Sequence, residues 1–350
     1  MSVTKSPAPS AAPPPAAPPV GRRRSARRAG PPAALLLLLA VLAASLAIGA
    51  RRYSLGEVWH GLLDPDAPAY TVVRETRLPR TLLGLLAGAA LGLAGGVMQA
   101  LTRNPLADPG LLGINAGASA AVVSAITFLG IRSVSGYVWF SFVGAGAVAV
   151  LVWAVGGGRA ATPERLALAG AAVNAALYAY VSAVELIDTA ALDRMRFWTV
   201  GSLATARPST VTGIAPFVAA GVLLTAALAR PLNALALGDD GARALGARPT
   251  WTRTGALVAV TLLCGAATAA CGPIVFVGLM VPHLVRALTG PDLRRLLPYC
   301  AVLAPVMLLG ADVLGRVLGR PAEIQVGIVT AVAGGPVFLA VVRRGRVGRA

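Results

Sequence analysis

Apolar residues along the chain fall in long blocks, near 33–50, 78–101, 110–130, 136–156, 164–187, 209–229, 252–271, 273–289, 296–315 and 324–342, with short polar breaks between them. About twenty predominantly apolar residues suffice for a helix to cross a bilayer. Each block therefore reads as one span, and the chain as an all-α polytopic membrane protein with about ten transmembrane helices. Proline and glycine punctuate the breaks, and Asp108-Pro109 and Thr162-Pro163 have the form of helix starts, a polar cap followed by proline in the first helical position. The block 33–50 follows a basic stretch and resembles a secretory signal. A retained first helix is the favoured reading, because the rest of the chain also spans and needs an anchor. Residues 1–32, rich in Pro, Ala and Arg, read as a disordered cytoplasmic tail. The expected organisation is thus a tail over 1–32, a ten-helix transmembrane domain over 33–343 and a short basic cytoplasmic tail over 344–350.

Composition sharpens this picture. Of the 350 residues 56% are hydrophobic and only 13% charged, with a mean hydropathy of +0.73. Soluble domains carry about 25% charged residues, so an ordinary soluble enzyme is excluded. The net charge of +17 comes from 31 basic residues, of which Lys5 is the single lysine. These arginines stand between apolar blocks and are not interleaved with aromatics, so the positive-inside rule accounts for them better than nucleic-acid binding does. With the N-terminus inside, twenty fall on inside segments and eleven on outside ones, which places both termini in the cytoplasm of a multi-pass cell-membrane protein. The outside set remains larger than topology alone explains.

Candidate chemistry within the spans is sparse. Without a second lysine no G-x-x-x-x-G-K-[ST] loop is possible, so the chain cannot bind ATP through one. Glu185, Asp188 and Asp312 lie near span ends and read as interfacial residues, which weakens the case for a secondary transporter driven by an ion gradient. Cys264, Cys271 and Cys300 sit in apolar stretches without metal spacing and read as small packing residues. His60 and His283 are too far apart to suggest a metal pair, and no clustered site for a membrane-embedded enzyme is evident. The Ala/Gly-rich stretch 82–96 would let helices approach closely or line a wide passage.

Six blocks occur in order: Arg77-Leu78-Pro79-Arg80; Gln99 through Gly110, containing Arg103-Asn104-Pro105 and Asp108-Pro109; Phe197-Trp198-Thr199-Val200-Gly201-Ser202-Leu203; Leu235 through Gly246; Gly272-Pro273 through Val281-Pro282-His283-Leu284-Val285-Arg286; and Ala311 through Arg316 with Glu323 through Thr330. Together, over residues 53–342, they resemble the FecCD family, the permeases of iron–siderophore and vitamin B12 ABC importers. The resemblance implies a ten-helix type II importer fold and a transport subunit that is no enzyme. It further implies a second permease copy (the same chain or a related one), ABC ATPase partners, and a lipid-anchored or periplasmic binding protein that delivers the cargo. No cofactor is then expected on this chain, since ATP and magnesium belong to the ATPase. An iron(III)–siderophore complex is the expected cargo, with vitamin B12 and haem as alternatives.

The same resemblance assigns candidate sites. Residues 239–246 can form a short contact helix, with Asp239 or Asp240 as cap, Ala242 and Leu245 as its apolar side and Gly246 as its end. Asp239, Asp240, Ala242, Arg243, Leu245 and Gly246 then match the loop that couples to the ATPase. Arg77, Arg80 and Arg316 match positions that meet glutamates of the binding protein, for which the guanidinium's paired hydrogen bonds are suited. Thr162, Pro163 and Glu164 fall at the inner gate region, although the family has small hydroxyl residues where Pro163 and Glu164 stand. Gln325 replaces a usual proline, a change expected to alter only local helix geometry.

Overall fold

The computed structural model describes residues 20–131, 134–158 and 162–347. Among them the chain forms thirteen α-helices and no strand. Helix α1 (Val20–Ala47) is followed by the short α2 (Leu55–Leu63). A π-helical turn (Thr71–Arg77) runs into α3 (Leu78–Thr102), and a 3₁₀ turn (Pro109–Leu112) leads to α4 (Ile114–Leu129). Then come α5 (Val134–Val155), α6 (Pro163–Ile187), α7 (Thr189–Trp198), α8 (Pro208–Leu235) and α9 (Asp239–Ala244). The chain finishes with α10 (Pro249–Cys271), α11 (Val277–Thr289), α12 (Leu293–Leu318) and α13 (Val326–Val347).

Seven of these helices are long and apolar enough to cross a membrane, and three shorter apolar ones, α4, α11 and the Val326–Leu339 part of α13, take up the remaining expected blocks. At 1.5 Å per residue, helices of 13–16 residues reach only about 20–24 Å. The agreement is in ten apolar helices, then, and not in ten full-length crossings. Helices α2 and α7 were not among the expected blocks because they are too short to form one. The Asp108 carboxylate accepts from the Gly110 N–H at 2.7 Å but starts the 3₁₀ turn, and α4 begins only after Gly113 turns the chain at φ 75°. Helix α1 begins at Val20, inside the stretch expected to be a disordered tail. Residues 20–29 are mostly Arg and Ala, strong helix formers, and they extend the apolar block toward the N-terminus. Residues 1–19 of that tail, and 348–350 of the C-terminal one, lie outside the described residues.

Helix α3 is the axis of the bundle, packed by α8, α10, α11 and α12. Its small residues make that possible. A Cβ placed on Gly88 would stand 2.6 Å from the Pro305 Cα of α12, and one on Gly92 would stand 2.5 Å from the Ala304 Cβ. On another face, a Cβ on Gly95 would overlap the Gly278 carbonyl of α11. The Ala/Gly-rich stretch thus serves close packing, as small-residue interfaces do in lipid, where dispersion rather than water drives association. Leu83, Met98, Leu263, Leu296, Leu308 and Leu309 fill the remaining core, and all three cysteines are buried there as free thiols. By contrast, few residues in the spans of α5, α6 and α8 are buried, leaving broad apolar faces at the edge of the bundle.

Candidate functional site

The described bundle carries polar groups at its two ends. At one end, the last carbonyls of α1 lack helical partners and collect negative dipole. Three arginines donate to these carbonyls and to those just past the helix end. Arg77 Nη1 donates to Leu46 O at 2.7 Å and Nη2 donates to Arg51 O, while its guanidinium stacks 4.9 Å from the centre of the Tyr53 ring. Arg316 Nη1 donates to Ser45 O at 2.9 Å and Ile48 O at 2.8 Å, and Arg320 Nη2 donates to Gly49 O at 2.6 Å.

Behind this cap lies a buried ion cluster. Asp312, fully enclosed in α12, accepts from Arg80 Nη2 at 2.8 Å and Nε at 3.0 Å, and pairs with Arg316 Nη2 at 2.9 Å. Arg80 Nη1 also donates to Glu323 Oε2 at 2.7 Å. Ser45, in turn, shares its hydroxyl with Thr81 at 2.7 Å and with Arg316 Nη2 at 3.1 Å. One carboxylate thus serves two guanidinium groups, the arrangement a buried charge needs in order to be tolerated.

These contacts correct one expectation. Asp312 is no interfacial residue; it is the centre of the cluster. Arg77, Arg80 and Arg316, expected to reach for a binding protein, are 5%, 7% and 2% exposed and are engaged by groups of their own chain. The signal for this lay in Asp312 and Arg316, one helical turn apart inside an apolar span, where charged residues pair with one another. Ser45, Tyr53 and Glu323 carried no such signal, since their partners are far away in sequence.

At the opposite end, α9 stands between α8 and α10. Gly238 at φ 95° and Gly246 at φ 78° make the sharp bends on either side, conformations that glycine adopts without strain. Ala242 is fully buried, whereas Leu245 and the neighbouring Leu237 are largely exposed. Asp240 faces outward and, among the described residues, pairs only with Arg243, at 2.8 Å. Neither aspartate caps the helix; Gly238 is the cap residue, and the Asp239 carboxylate instead accepts from Arg253 Nη2 at 2.7 Å, with Arg103 Nη2 at 3.6 Å. Asp239 thereby ties α9 to the start of α10 and the end of α3. Beside it lies a groove of about 440 Å³ lined by Arg230, Asn233, Leu237, Leu245 and Ala247.

Other polar ties secure this end. Asn233 Nδ2 donates to Asp292 Oδ1 at 2.7 Å, and the Leu293 N–H donates to Asn233 Oδ1 at 3.0 Å, joining α8 to α12. Hydrogen bonds from the Arg294 N–H, then from Asn233, hold the Asp292 carboxyl below the usual aspartate range. Buried Gln99 donates to Leu279 O at 3.0 Å and accepts from Arg286 Nη2 at 3.3 Å, which fastens α3 to α11. Thr162 Oγ1 accepts from the Arg165 N–H at 3.4 Å and so caps α6, as the sequence indicated. Pro163 takes the first helical position and Glu164 is exposed in the first turn; α6 packs on α4 and α5.

A helical membrane bundle with an exposed contact helix at one end and a buried ion cluster at the other is the frame of a transport permease. Residues 36–344 match the FecCD transport family, and the chain belongs to that family. It is 45% identical to the ferric enterobactin transport system permease protein FepD of Escherichia coli (strain K12), over 86% of this chain and 91% of that one. It is 37% identical to the Fe(3+)-citrate import system permease protein YfmD of Bacillus subtilis (strain 168), over 87% of this chain and 91% of that one. The hemin transport system permease protein HmuU of Yersinia pestis is also 37% identical, over 87% and 92% of the two chains. Among solved structures, an inward-facing chain assigned to the metal-chelate type of ABC transporter superimposes with a TM-score of 0.79 at 30% identity, covering 89% of this chain and 98% of that one.

Proposed function

We propose that this chain is the transmembrane permease subunit of an ATP-driven importer for iron(III) chelates, ferric siderophores first among them. The observation that carries this reading is α9: a rigid, glycine-bounded helix that presents Leu237, Asp240, Arg243 and Leu245 outward while Asp239 locks it to α3 and α10. A partner ATPase, which holds ATP and magnesium, closes on α9. The lock passes that displacement to the axial helix α3, and the bundle rocks between outward and inward access. The chain itself makes and breaks no covalent bond.

Positive-inside bias supports placing the α9 end and both termini in the cytoplasm. A binding protein then meets the α1–α2 end, where the buried arginines hold the docking face in shape instead of gripping the partner directly. A second copy of this chain or a related permease covers the apolar faces of α5 and α6, and the start of α6 at Thr162–Glu164 lies at the inner gate.

The test is uptake of radioactive iron by vesicles containing this chain, its ATPase and its binding protein. Uptake that requires all three parts and ATP supports the reading. Uptake of labelled cobalamin or haem in place of iron would keep the mechanism and change the cargo. Uptake that ignores ATP with every cargo would remove the ABC reading and restore a secondary transporter.

A further inference from the structure

The contact helix, the ion cluster and the close-packed axis leave one strongly charged element without a role, the start of α1. Residues 20–29 of this helix contain Arg22, Arg23, Arg24, Arg27 and Arg28, and no acidic residue occurs in the chain before Glu57. Like charges therefore recur at helical spacing. Arg23 and Arg27, and Arg24 and Arg28, are four residues apart and Arg24 and Arg27 three apart, and each such pair weakens a helix. Pro31 and Pro32 lie inside α1 and lack the N–H groups that the carbonyls of residues 27 and 28 would accept from. Ten residues are also fewer than the roughly 12–15 that an isolated helix needs to be marginally stable in water. A helical prefix of this composition calls for negative charge, and its own stretch of chain supplies none.

Helix α1 packs beside α12 and runs in the same direction. A Cβ on Gly30 would stand 2.5 Å from the Tyr299 hydroxyl, and fifteen residues on, Ser45 meets Arg316. Arg294 and Arg295 precede Tyr299 by five and four residues, are exposed, and form no ion pair within 4 Å among the described residues. The acid at the start of α12, Asp292, is engaged by Asn233 and by the Arg294 N–H. Counted along the two axes at 1.5 Å per residue, these two arginines and the five of α1 occupy one layer, about 3–12 Å beyond the contact of Gly30 with Tyr299. The apolar span of α1 starts at Gly30 itself, so this layer stands at the membrane boundary.

We propose that the α1 prefix and the start of α12 form a binding surface for anionic phospholipid headgroups, whose phosphodiesters hold residues 20–29 in helical form. Membrane lipid is the partner because the five arginines stand only two to eight residues ahead of the span, within the range of charge attraction to an anionic leaflet. Val20, Ala26 and Ala29 are too few to insert as an apolar face, so the attraction is electrostatic. Topology needs these charges on one side of the membrane and does not need them in a helix. The surface requires that the bundle lie in a membrane and makes no use of the import reaction.

The experiment is backbone hydrogen exchange of residues 20–29, read by mass spectrometry on the full-length chain in nanodiscs of phosphatidylcholine alone or mixed equally with phosphatidylglycerol. Exchange should slow about tenfold or more with phosphatidylglycerol at low salt and recover at high salt, where surface charge is screened. Equal exchange in the two lipids would overturn the proposal, whether the segment is protected in both or in neither. This measurement uses the unaltered chain, so it decides the matter even where a variant folds poorly. In parallel, electron spin resonance compares spin-labelled phosphatidylglycerol with spin-labelled phosphatidylcholine around the chain in vesicles. A preference of about threefold for the anionic lipid is expected. It should fall by half or more when Arg22, Arg23, Arg24, Arg27 and Arg28 are changed to Gln, and further with Arg294→Gln and Arg295→Gln. A charge-matched control changes the exposed Arg52, Arg165, Arg207, Arg230 and Arg248 to Gln. An equal loss in that control would reduce the effect to net charge and overturn the surface. Protection of residues 20–29 by a short RNA duplex, with none from phosphatidylglycerol, would assign these arginines to nucleic acid and overturn it as well.

Discussion

Replacing Asp312 with asparagine keeps the shape of the side chain and removes its charge. In the parent, the carboxylate answers Arg80 and Arg316 together. After the change, Arg80 keeps Glu323, whose side chain is 37% exposed and so gives a weaker counter-charge than an enclosed one. Arg316, 2% exposed, keeps only the neutral oxygens of Ser45 and Ile48. Breaking a buried pair by removing one partner costs about 3–5 kcal/mol, and the upper part of that range is expected because two guanidinium groups share the loss. Equilibrium unfolding of the full chain in mixed SDS and maltoside micelles, followed by far-UV circular dichroism, would measure it. Arg316→Met alone leaves the Arg80–Asp312 pair intact and removes the cap on α1 together with Arg316's own pairing to Asp312. The double variant Asp312→Asn/Arg316→Met removes the stranded charge, so its loss should be smaller than the sum of the single losses by about 1–3 kcal/mol. Losses that add to within about 0.5 kcal/mol would refute the argument from uncompensated buried charge.

Glycine spacing along α3 leads to a second expectation. Gly88→Ala drives a Cβ into the backbone of Pro305 and should destabilise by about 1–3 kcal/mol. Gly310→Ala on α12, where a Cβ meets nothing within 4 Å, should be neutral or stabilising by up to about 1 kcal/mol, and thermal melting in detergent distinguishes the two. At the other end, Asp239→Asn should leave ATP hydrolysis by the assembled importer within about twofold and reduce iron taken up per ATP severalfold, because the tie from α9 to Arg103 and Arg253 is lost. Equal falls in hydrolysis and uptake would instead indicate loss of assembly. The Asp292 carboxyl, held below its usual range by the Arg294 N–H and Asn233, contributes stability above its unfolded value of about 3.9 and loses it as pH falls through the lower folded value. Asp292→Asn, which can still cap α12, should flatten that part of a melting-temperature profile in acid.

Much of this bundle could be read from the sequence, because apolar length is a local property. Every expected block holds a helix, and both ends of the contact helix are marked by glycines that sit at positive φ. What stayed hidden depends on distance along the chain. Arg80 meets Asp312 across 232 residues, and Arg316 meets Ser45 across 271. No pattern of neighbours reveals such partners. Asp239 likewise reads as a helix cap from its position, but a guanidinium from α10, brought close only by folding, competes for the same carboxylate and wins through charge assistance.

The arginine count illustrates how the two kinds of information combine. Treated as solvent charges, the eleven arginines expected outside weaken the topological signal of the twenty basic residues, Lys5 among them, expected inside. Arg77, Arg80 and Arg316 are buried, however, and their charge is answered by carboxylates, helix-end carbonyls and the face of Tyr53. Among the described residues none of the inside arginines is buried to that degree. The positive-inside rule concerns charges that must stay in water beside the membrane. Excluding the three that do not leaves eight outside against twenty inside, so the apparent excess and the stabilisation of the end of α1 have one cause. A variant with Arg77, Arg80 and Arg316 all changed to Gln should therefore lose stability and keep its orientation, which cysteine labelling from each side of the membrane would detect. Inversion of the chain in that variant would mean that these arginines act on topology after all.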